Sequence, residues 1–114
     1  MEITWRAADG MQEDTRVLLA AAGADVRPRS GFEPLTTIAV VVSVGLLVKC
    51  IGKMFKDIRY KGLIIDATRQ PIEVREMPNW DRSEVLLITA SGATFHQFAS
   101  EDVLAELLSR LGVS

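Results

Sequence analysis

The most apolar run of the chain, from Leu35 to Val48, is broken only by Thr36, Thr37, Ser43 and Gly45. From Val44 onward it takes on a helical period. Val44, Leu47, Val48, Ile51, Met54, Phe55 and Ile58 follow the i, i+3, i+4, i+7 spacing of one helix face. Lys49, Lys53 and Lys56 fall on a different face. The spacing predicts one long helix over residues 35–58, amphipathic in its second half and more deeply buried in its first. Pro34 suits its entry, because a first helical turn does not use the N–H that proline lacks.

Shorter patterns flank this stretch. Ile3 and Trp5 alternate with Glu2, Thr4 and Arg6, which predicts a half-buried strand. Met11, Leu18, Leu19 and Ala22 predict a helix over about 10–22. Asp9 with Gln12 has capping-box spacing, and Gly23 sits where a helix turns off. Residues 24–29 read as a weak strand around Val26, confined to a sheet edge by Pro28. Lys61 to Thr68 is a strand. Ile72, Val74 and Glu76 then alternate with Glu73 and Arg75 in another strand whose second face is wetter. Met77 to Ser83 is a loop carrying Trp80. Glu84 to Ala90 is apolar on both faces and reads as an interior strand. Ser91-Gly92 turns it into a last strand over residues 93–98. Ser100, with Glu101 and Asp102, starts a closing helix whose apolar face is Val103, Leu104, Leu107, Leu108 and Leu111.

Strands grouped in sequence, with helices before and after, predict a single α+β domain over residues 1–114. Its expected form is two-layered. An antiparallel or mixed sheet of about five to six strands, the last four in a meander, packs against the long apolar helix and the N- and C-terminal helices.

Composition narrows the function classes. A net charge of −2 argues against a general nucleic-acid binder. One Cys and one His exclude a disulfide framework and speak against a Cys/His zinc site, so no cofactor is expected. Cys50, inside the central helix, reads as a small buried hydrophobe. The opening MEITWRAADG is polar and acidic, unlike a cleavable signal, which makes a cytoplasmic setting the expectation. The rival reading makes residues 35–51 a single membrane span at the inner membrane, with the basic flank and the C-terminal domain inside. Lys49 interrupts that run short of the roughly 20 apolar residues a span needs, and the amphipathic stripe continues past it.

No motif carries chemistry. Neither GxGxxG nor GxxxxGK[ST] occurs. An enzymatic or small-ligand reading would rest on Asp66 and His96, with Glu73 and Glu76 converging beside them. A binding reading would rest on Trp80 and on the basic patch of Lys49, Lys53, Lys56 and Arg59, because exposed aromatic and basic side chains are where binding energy concentrates.

The layout also resembles a known family. The run LTTIAVVVSVGLLVKCIGKMFK and the closing SEDVLAELLSRLG, set among a short N-terminal strand and helix and a group of strands, are similar to the effector-associated constant component proteins of bacterial conflict systems. The stretch GLIIDATRQPIEVREMPNWDRSEVLLITASG is longer than that family's pattern. The resemblance implies a non-catalytic adaptor that couples an effector to other components by protein contact. It transfers no site residues.

Overall fold

A computed structural model describes residues 1–28, 36–57, 62–80, 84–97, 105–106 and 108–109. Its elements are β1 (Glu2–Arg6), α1 (Gln12–Ala21), β2 (Asp25–Val26), β3 (Thr37–Val41), α2 (Val44–Asp57), β4 (Gly62–Asp66), β5 (Ile72–Glu76), β6 (Glu84–Thr89) and β7 (Gly92–Gln97). The domain is α+β, with a seven-stranded mixed sheet in the order β2-β3-β1-β5-β4-β6-β7.

The apolar run is not one helix. Residues 37–41 form β3, antiparallel to β1 with Trp5 opposite Ile38 and Ile3 opposite Val40. Thr37, Ile38, Val40 and Val41 are β-branched, and such side chains suit a pleated surface better than a helix. Ser43 then starts α2: its hydroxyl accepts a hydrogen bond from Leu46 N–H at 3.2 Å, and its carbonyl accepts from Leu47 N–H. The amphipathic half follows the predicted stripe, with Leu47, Val48, Ile51 and Met54 buried and Val44 and Phe55 half-buried, while Ile58 lies outside the described residues; Cys50 is buried as well. Among the described residues, no helix is long and apolar enough to cross a membrane.

α1 begins later than the capping-box reading placed it. Met11 is its N-cap, and no side chain caps it. Its other end follows expectation. Gly23 N–H bonds to the Ala20 carbonyl and Ala24 N–H to the Leu19 carbonyl, the paired bonds of a Schellman turn, with Gly23 at φ +99°.

The last four strands are not a meander. β5 lies between β1, to which it is parallel, and β4, to which it is antiparallel. β6 returns parallel to β4, and β7 closes the sheet as an antiparallel edge. β2, two residues long, is the opposite edge. The predicted closing helix falls mostly outside the described residues, as do Pro34, Arg59 and Ser100. Residues 105–106 and 108–109 are helical, and Leu108 is 1% exposed.

Register assigns the two sheet faces. Ile3, Trp5, Ile38, Val40, Leu63, Ile65, Val74, Val85 and Leu87 share one face. All are buried in a single cluster with Leu18 and Leu19 of α1, with Leu47, Val48, Ile51 and Met54 of α2, and with Leu108. This inner face carries the helices. Ile64, Leu86, Ile88, Trp80 and Phe95 do not belong to the cluster.

Candidate functional site

The four residues on which an enzymatic reading would rest do not converge. Asp66 and Glu73 are cross-strand partners on the outer face. Glu76 and His96 lie on the inner face in one cross-sheet row, Glu76–Leu63–Val85–His96. Three strand spacings separate them, about 14 Å at 4.8 Å each. Asp66 and His96 are therefore on opposite sides of the sheet. The His96 ring makes a 2.8 Å hydrogen bond to the Thr94 hydroxyl, two residues away on the same strand.

Each carboxylate has a structural occupation. Asp66 closes the turn after β4: it accepts from the Thr68 hydroxyl and backbone N–H and from Arg69 Nε at 3.3 Å. The Thr68 hydroxyl bond is the main reason its acidity is strengthened. Desolvation opposes it, and the Thr68 N–H and Arg69 add smaller contributions in the same direction as the hydroxyl. Glu73 was expected on the wetter face of its strand, yet it is only 7% exposed. Three arginines cover it. Arg6 Nε and Arg75 Nη2 each lie 3.1 Å from its Oε1, and Arg69 Nε lies 3.9 Å from its Oε2. The Arg6 contact is an ion pair without hydrogen-bond alignment.

Glu76 is 4% exposed and sits inside the core. Its Oε2 accepts from the Trp5 indole N–H at 2.8 Å and the Thr15 hydroxyl at 2.7 Å, and its Oε1 accepts from Ala8 N–H at 2.7 Å. One carboxylate thus ties β5 to β1, to the loop after β1 and to α1. Cys50 is fully buried, and desolvation raises its thiol pKa against a weaker opposing effect of Lys53. Among the described residues no cluster of His, Cys, Asp and Glu has the arrangement of a metal site.

The binding residues singled out in the sequence fall on two sides of the domain. Lys49, Lys53 and Lys56 are exposed on α2, away from its buried stripe, while Arg59 lies outside the described residues. Trp80 belongs to the other side. It folds back over the outer face of the sheet at Gly62, where a Cβ would overlap the indole ring. Gly62 therefore gives the ring its bed on the strand backbone. The indole also packs on Phe95, with ring centroids 5.7 Å apart and planes tilted by 55°. Phe95 remains 63% exposed.

Register extends this aromatic pair into a line across the outer face. Arg6 pairs with Arg75, Arg75 with Ile64, Ile64 with Leu86, and Leu86 with Phe95. The row has a basic half and an apolar half. Arg6 and Arg75 stand side by side, a like-charge pair that Glu73 offsets from the neighbouring row. Sequence reasoning reached Trp80 but missed this row, because the neighbours Arg6 and Arg75 come from strands far apart in the chain.

No protein-family model, no curated protein and no solved structure matches this chain.

Proposed function

We propose that the domain is a non-catalytic protein-interaction adaptor whose principal docking surface is the outer face of the sheet. The observation that carries this reading is the row Arg6–Arg75–Ile64–Leu86–Phe95, flanked by Trp80. Its chemistry selects the partner: a protein segment with apolar side chains for the Ile64–Leu86–Phe95 half and a carboxylate for the arginine half. Arg75 is half exposed, and a guanidinium has five donors, so its bond to Glu73 leaves others for an incoming acid. Five strands at 4.8 Å spacing give a row of about 19 Å, the length of an amphipathic helix of roughly 13 residues.

An adaptor engages two partners at once, and the layout is suited to that. The lysines of α2 project from the helical layer, on the far side of the sheet from Trp80 and Phe95. A second, acidic partner on that face would not collide with the first. The resemblance to effector-associated constant component proteins supplies a setting for this proposal, a bacterial conflict system in which one partner is an effector.

The test is capture from the native host with folded variants, checked first by circular dichroism. Arg75→Glu is expected to abolish capture of one partner, and a double charge reversal at Lys53 and Lys56 to abolish capture of a different one. Photo-cross-linking from position 86 should label an apolar, acidic segment of the first partner. Retention of every captured protein by both variants overturns the adaptor reading.

A further inference from the structure

The two edges of the sheet are built differently. An edge strand presents unpaired backbone N–H and C=O groups, and proteins usually blunt it with charge, proline or brevity. The β2 edge has all three. It is two residues long, begins at Asp25, and is followed by Arg27 and Pro28, with Arg27 Nη2 3.6 Å from the Asp25 carboxylate. The β7 edge has none of them. Gly92 to Gln97 reads GATFHQ, six residues without Lys, Arg, Asp, Glu or Pro, and five of the six are exposed. Among the described residues no strand pairs with its outer side.

We propose that β7 pairs antiparallel with β7 of a second copy of this chain, joining two sheets into one. The partner follows from the strand itself. With no charged residue in β7, self-pairing sets no like charges opposite one another. Symmetry then restricts the register. A two-fold axis relating antiparallel neighbours stands perpendicular to the sheet, so both copies keep their helices on the same side. Residues facing each other must then come from the same sheet face, and the strand centre allows Phe95 on Phe95 or Thr94 on Thr94. The first places the two exposed phenyl rings together beside the two Trp80 rings and buries the apolar surface that one copy leaves in water. In that register Thr94 of each copy faces His96 of the other. The two outer-face rows meet at the axis and become one row with an arginine pair at each end. One short strand pair is a contact below the roughly 1,200 Å² of a stable interface, so the association is weak and concentration-dependent.

The inference stands on the edge and not on the docking proposal, and its test uses the purified chain alone. Sedimentation equilibrium should show a reversible monomer–dimer equilibrium for the wild type. Phe95→Lys and Phe95→Glu, each shown to be folded by circular dichroism, should both be monomeric. Mixed in equal amounts they should form a dimer, because opposite charges then face each other across the axis. Hydrogen exchange should show β7 amide protection rising with concentration in the wild type and not in either variant. A wild type that stays monomeric at all accessible concentrations overturns the proposal. So does a dimer that both variants preserve, or variants that fail to rescue each other. Arg75→Glu, remote from the edge, should leave the dimer intact whatever it does to partner capture.

Discussion

The buried Glu76 carboxylate offers the sharpest test of how this core is held. It accepts three hydrogen bonds, from the Trp5 indole, the Thr15 hydroxyl and Ala8 N–H, with only 4% of the residue exposed. A hydrogen bond to a charged group contributes about 1.5–3 kcal/mol net, and a buried donor left without a partner costs about 1–3 kcal/mol. Glu76→Ala removes the acceptor of three hydrogen bonds at once. Partial relaxation and entry of water reduce the sum, leaving an expected loss of about 3–5 kcal/mol. Domains of this kind have only about 5–15 kcal/mol in total. Glu76→Gln is milder. Its carbonyl oxygen can take the Oε2 position and keep Trp5 and Thr15, but its NH₂ then faces the Ala8 N–H, which costs about 1–3 kcal/mol. Urea denaturation at neutral pH, followed by far-ultraviolet circular dichroism, measures both. Thr15→Val supplies the control: it should cost about 1–2 kcal/mol in the wild type and less in Glu76→Ala, where the bond between the two is already gone. A Glu76→Ala protein within about 0.5 kcal/mol of wild type, the range of an ordinary surface change, would refute the reasoning. Strict additivity with Thr15→Val would refute it too.

Three further outcomes are expected. Leu47→Ala, deleting a side chain 2% exposed on α2, should lose about 2–5 kcal/mol in the same assay, and an unchanged midpoint would contradict its place in the core. Gly62→Ala should push the Trp80 ring off the strand, seen as a red-shifted tryptophan emission that Trp80→Phe removes; an unshifted spectrum would contradict the contact. Asp66 has a pKa below its ordinary value, chiefly through the Thr68 hydroxyl bond. Its stabilisation is therefore fully present above the unfolded value of about 3.9 and is lost as pH falls through the lower folded value. Asp66→Asn should flatten that part of the acid limb of the stability–pH curve, and an identical limb would contradict the turn.

What was legible in the sequence is local. The stripe from Val44 to Met54, its separate lysine face, the positive φ at Gly23 and Gly92 and the interior position of β6 all follow from spacing within one element. The division of the apolar run was missed because a buried strand and a buried helix segment look alike in hydropathy. The β-branched content of residues 37–42 and the N-cap Ser43 were the signals for it. Glu76 left a trace as well, since it continues the inward set of Ile72 and Val74. Alternation could not say what would satisfy a carboxylate there, because its partners come from β1, the following loop and α1. The outer-face row was invisible because it depends on β5 inserting between β1 and β4, a pairing that no local pattern encodes.

The inner carboxylate and the outer row are linked through the register of β5. Successive residues of a strand face opposite ways, so a slip of one position would carry Glu76 to the outer face and turn Arg75 into the core. Val74 is the only fully buried apolar residue of β5, with Ile72 half-buried at its end, so hydrophobic pattern specifies this short strand weakly. Three hydrogen bonds to Glu76 specify it strongly, since a slip of one position puts Arg75 or Met77 in its place, and neither side chain can accept them from Trp5, Thr15 and Ala8. The carboxylate that faces the helices therefore holds Arg75 in line with Arg6 and Ile64 on the other side. Glu76→Gln, folded but short of one bond, should loosen β5 selectively. Hydrogen exchange is expected to quicken at residues 72–76 more than along β6. Capture of the partner proposed for the outer face should fall although position 76 points away from it. Unchanged β5 protection in a Glu76→Gln protein that nonetheless loses stability would show that the sheet register is held elsewhere.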